Sequence, residues 1–438
     1  MKQTEIGMIP DDWEVKEFGN YSTIVRGGSP RPIQDFITTN SSGINWIKIG
    51  DVKPNDKYIV KTEEKIIPAG KSRSREVNPG DFILSNSMSF GRPYILKING
   101  CIHDGWLAIQ NYHETFDVDY LYYLLGSDEV FKQYISMAAG SSVQNLNKQK
   151  VSKLLVPLPP TLAEQQKIAK ALSDVDNVIS TLEKLITKKK NLKQGTMQQL
   201  LTGKKRLPGF APAVVEPVET TKFKQTEIGE IPEDWEVKEL GEVAKNFTGL
   251  TFSPDDVCDY GTLVLRSSNI QNDMLSFNDN VYVNMNIPER AIAHTGDILI
   301  CVRNGSKRLI GKSALITESA NNCAFGAFMT ILRTELLNQQ FLFYVWQSDL
   351  IQKQIEESMG ATINQITNKD IRHYLIAYPK SNAEQTAIAN VLSSMDKEIE
   401  ALETKLGKYR NLKTGMMQQL LTGKIRLSVA TLKVDTNR

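Results

Sequence analysis

Residues 2–19 read KQTEIGMIPDDWEVKEFG, and residues 224–241 read KQTEIGEIPEDWEVKELG. Fifteen of the 18 positions agree at an offset of 222, the exceptions being Met8/Glu230, Asp11/Glu233 and Phe18/Leu240. A second pair lies further along. Residues 191–207 read NLKQGTMQQLLTGKKRL and 411–427 read NLKTGMMQQLLTGKIRL, with 14 of 17 positions equal at an offset of 220. Chance does not produce two such matches in one chain. The 438 residues are therefore one unit of about 220 residues used twice. Solenoid repeats run roughly 20–50 residues, so each unit here must hold a whole domain and something more.

The additional part is a long helix. Thr161-Leu162-Ala163-Glu164 has the spacing of a capping box, in which Thr and Glu satisfy each other's free amides. Ser381-Asn382-Ala383-Glu384 repeats it. Apolar residues then recur every seven: Ile168, Val175, Leu182 in one row and Leu172, Ile179, Ile186 in another. The later copy gives Ile388, Met395, Leu402 and Leu392, Ile399, Leu406. This is the spacing of a coiled-coil seam. Both helices should close on Leu-Leu-Thr-Gly, at Gly203 and Gly423, with glycine in the usual terminating position. At 1.5 Å per residue, about 40 residues make a rod of roughly 60 Å. The expectation is that the two helices pack on each other; the alternative is that each packs on its own globular domain.

The intervening stretches read as strands. Ile44–Ile49, Asp81–Leu84, Leu263–Leu265 and Asp297–Ile300 are short apolar runs between Gly, Pro, Asn and Asp turns. Helical spacing of aromatics and leucines predicts helices at 117–136 and 335–357. The fold class is α+β: two strand-rich domains joined by two long coiled-coil helices, with an internal repeat. The division runs 1–158 for the first domain, 159–206 for a central helix and 207–223 for a proline-rich linker. It continues with 224–379 for the second domain, 380–427 for a distal helix and 428–438 for a tail. The ends of the two copies are nearly identical and the interiors barely align, which suggests one shared partner and two different targets.

Composition narrows the class. Lys+Arg number 52 against 50 Asp+Glu, a net +2, which excludes a polybasic or an acidic disordered chain. The charge is uneven. Residues 160–206 carry ten basic against four acidic residues and 380–426 eight against five, so the remainder is net −7. Cys101, Cys258, Cys301 and Cys323 form no CxxC pair, which fits a reducing compartment. No signal-like or membrane-spanning apolar run is apparent, so a cytoplasmic protein without membrane association is expected.

The sequence spells no catalytic motif. His103, His113, His294 and His373 have no ligand spacing, and no metal site is expected. Cys101-Ile102-His103-Asp104 reads as an ordinary strand segment. Gly305 to Ser313 resembles a P-loop but has one residue too many between its glycines. Asn78-Pro79-Gly80-Asp81 lacks the second proline and the aromatic of an amino-methyltransferase motif. No GxSxG or GxGxxG occurs. The chain reads as non-enzymatic.

Basic and hydroxyl-rich loops remain as candidate nucleic-acid contacts. In the first domain these are Arg26, Ser29 and Arg31 in a Gly-rich turn, and Lys71, Arg73 and Arg75, which a strand would place on one face. Ser85, Asn86, Ser87 and Arg92 follow in a polar loop. In the second they are Thr248, Thr251, Arg303, Asn304, Ser306, Lys307, Arg308 and Lys312. Arg and Asn are the types that read guanine and adenine bidentately. The run Lys188-Lys189-Lys190-Asn191-Leu192-Lys193 reads as a solvated helix face, or as a contact with DNA or an acidic partner.

The repeated Ile-Gly-x-Ile-Pro with Trp13 and Trp235, the Glu164-Gln165 and Glu384-Gln385 helix starts, and the Gln-Gln-Leu-Leu-Thr-Gly-Lys endings together resemble the specificity subunits of type I restriction–modification enzymes. The resemblance runs from residue 2 to about 427. It implies two target-recognition domains separated by two long antiparallel helices in a pseudo-twofold arrangement, each domain reading one half of an asymmetric bipartite sequence in double-stranded DNA. It implies conserved helices that set the spacer and carry two methyltransferase (M) subunits, which restriction (R) subunits join. S-adenosylmethionine, ATP and Mg2+ would then belong to those partners, with no cofactor on this chain. The alternatives are a tandem coiled-coil protein-interaction scaffold without DNA specificity, and a fused restriction–methylation enzyme.

Overall fold

The structure is a computed structural model, and it describes residues 1–53, 56–86, 90–138, 146–210, 222–359 and 364–427. The predicted residue Ser87, most of the linker and the tail at 428–438 lie outside the described residues. The chain forms two compact units. One is Met1–Glu183 with the stretch from Thr404 onward; the other is Lys184–Glu403. Each unit thus combines one globular domain with part of both long helices, Leu162–Leu201 and Asn382–Leu420.

In the first unit one sheet has the strand order Thr23–Arg26, Trp106–Gln110, Phe82–Ser85, Pro93–Leu96, Tyr58–Ile59. A second sheet runs Ile37–Thr38, Glu64–Ile66, Ile44–Ile47, Gly100–Ile102, Arg75–Val77. Period-two alternation decides what each face meets. Ile83, Trp106 and Ala108 join the core shared with Ile47 and Ile102, whereas Phe82, Leu84, Leu107 and Ile109 face the helices. Burial on both faces is why Phe82–Leu84 is an unbroken apolar run.

The second unit repeats the framework with other side chains. Its sheets run Lys245–Thr248, Met329–Arg333, Ile298–Cys301, Ser313–Leu315 and Val257–Cys258, Tyr282–Val283, Thr262–Leu265, Ala324–Phe325. Ile298 and Ile300 face the helices, and Leu299 and Cys301 the inter-sheet core. Interiors that barely align in sequence therefore share one fold, because alternation of apolar residues, not their identity, is what the sheets require.

The constant motifs fasten each unit. Both helices end as expected, with Gly203 and Gly423 at φ +67°. A Cβ on Gly203 would stand 2.4 Å from Pro232 Cγ, and one on Gly423 2.5 Å from Pro10 Cγ. Arg426 donates to Glu164 at 2.8 Å and to Asp12 at 2.8 and 2.9 Å. Arg206 donates in the same way to Glu384 and to Asp234, the latter at 3.0 and 3.1 Å. The neighbouring glutamine closes the joint. Gln165 accepts from Asp117 N and donates to Thr115 O, and Gln385 accepts from Asn338 N and donates to Pro379 O. Each joint thus takes its Ile-Pro-x-Asp-Trp and Glu-Gln from one copy and its Leu-Thr-Gly-Lys-x-Arg from the other.

Several expectations change. The capping boxes are half formed: Glu164 N donates to Thr161 Oγ1 and Glu384 N to Ser381 Oγ, but both carboxylates turn to arginine. The seam is shared. Ile168 and Leu172 enter the first globular core, with Leu420 and Leu421 at the end of the other helix, and Ile388 and Leu392 enter the second with Met197, Leu200 and Leu201. Val175, Leu182, Ile186, Ile399 and Leu406 are buried, while Ile179, Met395 and Leu402 are half-buried. Within each unit the helices run antiparallel, joined by Lys413–Asp176 and Arg410–Glu183 in the first. In the second, Lys189 pairs with Glu398, Lys190 with Glu403 and Lys193 with Asp396. Three lysines of the run thus pair with the other helix, while Lys188 and Lys190 stay exposed to solvent.

The helices predicted at 117–136 and 335–357 are each two, Val118–Leu125 with Asp128–Ala138, and Gln339–Trp346 with Asp349–Ser358. Ser127 and Ser348 interrupt them by bonding locally to the backbone, the former accepting from Val130 N and the latter donating to Val345 O. Lys71–Arg75 is not a strand. Pro68 opens a 3-10 turn, Pro68–Arg73, and the strand starts only at Arg75.

Candidate nucleic-acid interface

In the first domain the Gly-rich turn folds onto the turn His103–Gly105. A Cβ on Gly27 would lie 2.1 Å from His103 O, so only glycine permits this approach. Asp104 is the hub. Its carboxylate accepts from Ser29 Oγ at 3.0 Å and from His103 Nε2 at 3.0 Å, with Arg31 at 3.6 Å. Its carbonyl accepts from Arg26 Nε at 3.4 Å and Asn86 Nδ2 at 3.0 Å. Four of the candidates, Arg26, Ser29, Arg31 and Asn86, thus converge on one residue that sequence reasoning passed over as part of a strand. Nothing in the spacing of Cys101–Asp104 marks it, because Arg26 and Ser29 reach it from 75 to 78 residues upstream.

The other first-domain candidates separate. Gly28 packs against Arg73 O, which brings Arg73 beside this turn, its guanidinium 5.3 Å from the Phe36 ring centroid. Arg75 pairs with Ile102 across the sheet edge. Lys71 is tied to Glu76 at 2.8 Å, which holds its ammonium above the usual lysine range. Ser85 is fully buried and Asn86 nearly so, so neither can face a ligand; Asn86 supports the turn instead. Arg92 lies elsewhere, in a cleft of about 800 Å³ against the helices with Tyr122, Asp176 and Lys413.

In the second domain the loop after Ile298–Cys301 carries most candidates. Asn304 accepts from Ser306 N at 3.0 Å and donates to Ser267 Oγ at 3.3 Å. Ser306 then opens the 3-10 turn Lys307–Leu309, which leaves Lys307 and Arg308 exposed. Arg303 stacks 5.1 Å over the Phe328 ring. Among the described residues, none of Arg303, Lys307 and Arg308 has a carboxylate partner within ion-pair distance. Unpaired exposed cations are what neutralise phosphates. Thr248 ends its strand, accepting from Asn368 Nδ2 at 2.9 Å, and Thr251 is exposed beyond it. Lys312 is set back, half-buried where its carbonyl accepts from Cys301 N.

Each domain is anchored on the helices by the same three residue types. Tyr123 donates to Asp176 at 2.8 Å, and Lys413 pairs with Asp176 and lies 5.5 Å over the tyrosine ring. Tyr344 donates to Asp396 at 2.8 Å, with Lys193 on the carboxylate and 5.4 Å over the ring. Burial, with the adjacent carboxylate, pushes both phenols well above the ordinary tyrosine range. They therefore stay protonated and donating.

The family model "Type I restriction modification DNA specificity domain" matches residues 10–194 and 232–408, each match running from a globular domain into the helix after it. The chain belongs to the type I restriction–modification specificity family. As a type I specificity subunit it serves DNA sequence recognition. It is 29% identical over 437 residues to the type I restriction enzyme MjaVIII specificity subunit of Methanocaldococcus jannaschii, covering 96% of this chain and 94% of that one. It is 30% identical to the putative MjaX specificity subunit of the same organism, covering 97% and 96%. The EcoKI specificity subunit of Escherichia coli K12 is 28% identical over 45% of this chain and 44% of its own. Among solved structures, the crystal structure of a type I S subunit from M. genitalium superposes at TM-score 0.55 with 16% identity, covering 96% of this chain and 98% of that one. A chain from a type I R-M system solved for its complex assembly and conformational transition gives 0.57 at 18% identity, covering 95% and 100%. These two likenesses establish the fold. Among the described residues, no helix is long and apolar enough to cross a membrane.

Proposed function

We propose that this specificity subunit is itself non-catalytic and that each domain reads one half of an asymmetric bipartite target in double-stranded DNA. One observation carries the reading. The two domains share a sheet framework but present different side chains at equivalent turns, Asp104 with Arg26 and Arg31 in one and Phe328 with Arg303 in the other. Unlike readers on like frames correspond to unlike half-sites. The helices set the spacer and dock two methyltransferase subunits, which restriction subunits join. S-adenosylmethionine, ATP and Mg2+ act on those partners. Base flipping at the target adenine belongs to the methyltransferase. The proposed contacts are the exposed Arg26, Arg31, Arg73, Arg75, Thr251, Arg303, Lys307 and Arg308. Exchange of residues 20–150 for those of a relative, followed by mapping of N6-methyladenine across the genome, tests the division of labour. One half-site should change while the other half and the spacer stay the same. A change in both halves would refute it.

A further inference from the structure

The two domains carry opposite chemistry at one equivalent turn. In each, a strand of the second sheet leads into a strand of the first: Gly100–Ile102 into Trp106–Gln110, and Ala324–Phe325 into Met329–Arg333. The connecting residues are His103-Asp104-Gly105 in one and Gly326-Ala327-Phe328 in the other. Both turns are clamped alike. A Cβ on Gly249 would stand 2.1 Å from Gly326 O, as one on Gly27 would from His103 O. The first turn is polar, its carboxylate already engaged by Ser29, Arg31 and His103. The second ends in Phe328, which is 56% exposed.

Single exposed apolar residues are common on soluble proteins. Phe328 differs in how it is held. Its carbonyl accepts from both Val302 N at 2.9 Å and Arg303 N at 3.2 Å, which ties it to the cationic loop. Its ring lies beneath the guanidinium of Arg303, whose loop also carries the exposed Lys307 and Arg308. A rigid apolar tip set among phosphate-seeking cations suits the one apolar feature of the major groove, the C5-methyl of thymine. An intercalating wedge needs both ring faces free to enter a base step, and here a guanidinium covers one.

We propose that Phe328 is a specificity-determining residue of the second domain, its free face and edge packing on the methyl group of a thymine in the major groove. The inference rests on the half-site reading above. The equivalent turn of the first domain offers a carboxylate, so the effect is confined to one half-site.

The test uses the full chain in complex with the methyltransferase subunits of its system, and duplexes of its mapped target in which each thymine in turn is replaced by deoxyuridine. At one thymine of the second half-site, loss of the methyl should weaken binding roughly fourfold, the worth of one buried methyl. Phe328→Ala should bind thymine and deoxyuridine duplexes equally there, and Phe328→Leu should keep part of the discrimination. Both variants should keep the first half-site unchanged. If no deoxyuridine position in the second half-site matters, or if Phe328→Ala retains the full difference, the proposal is overturned. Unstacking of a step beside Phe328, seen as 2-aminopurine fluorescence, would replace it with intercalation. Failure of the wild-type complex to bind any bipartite target would instead overturn the underlying reading.

Discussion

Arg426 donates from Nε and Nη2 to the two carboxylate oxygens of Glu164, each at 2.8 Å, across 262 residues of sequence. Arg206 and Glu384 repeat the pair in the other unit, and in both a second carboxylate, Asp12 or Asp234, completes it. The near-identical ends of the two copies thus meet one another within the chain.

The two joints should differ in strength. The Arg206 and Glu384 side chains are 5% and 2% exposed, whereas Arg426 is 43% exposed. Arg206→Ala leaves a buried carboxylate unpaired and should cost about 3–5 kcal/mol. Arg426→Ala should cost clearly less, since water replaces part of what is removed. Thermal unfolding of the two variants, ranked against wild type, checks the order.

The helix-ending glycines should resist substitution where helix-interior ones do not. Gly203→Ala and Gly423→Ala meet both a positive φ and a proline ring, and each should destabilise by more than about 1 kcal/mol. At Gly195 nothing lies within 4 Å of an added Cβ, so Gly195→Ala should stabilise by about 0.5–1 kcal/mol. Opposite shifts in melting temperature are the expected result.

Acid should act oppositely on the two joints. The hydrogen bond from Arg426 holds Asp12 below the ordinary aspartate range. Its contribution is therefore present above the unfolded pKa and fades as pH falls through the folded value. Burial pushes Glu384 up despite Arg206. That group's contribution is fullest below its unfolded pKa and declines as pH rises through the folded one. Amide exchange at Gly423 should accelerate on acidification below about pH 4, relative to Gly203.

The DNA candidates should split by exposure. Arg31→Ala and Arg308→Ala should weaken binding and flatten the salt dependence, by about 0.9 in log–log slope for each phosphate no longer neutralised. Ser85→Ala, at a fully buried position, should leave the salt slope unchanged and act only on stability. Affinity titrations from about 50 to about 200 mM salt separate the two classes.

Much was legible in the sequence because it depends on local or periodic patterns. Two long helices ending on glycine, short strands bounded by turns and a duplicated unit follow from spacing alone. Periodicity could not tell which surfaces the helical rows meet, since an apolar stripe fits a domain core as well as another helix. The candidate site was read less well. Arg26, Ser29, Arg31 and Asn86 were named from composition, but Asp104, which gathers them, is an unremarkable strand-end residue in the sequence. Ser85 and Arg92, at the facing ends of neighbouring strands, go to the core and to the helix-facing cleft. The direction in which a loop residue points is set by the sheet beneath it.

The repeat, and with it the two-domain plan, was determined by sequence alone, because identity between copies needs no coordinates to be seen. What the identical ends touch was decided only by the tertiary structure. The Pro10 ring against Gly423, and Arg426 between Asp12 and Glu164, join residues up to 414 positions apart. Contacts at that separation leave no local pattern, because they arise only when the antiparallel helices bring the end of one copy to the start of the other.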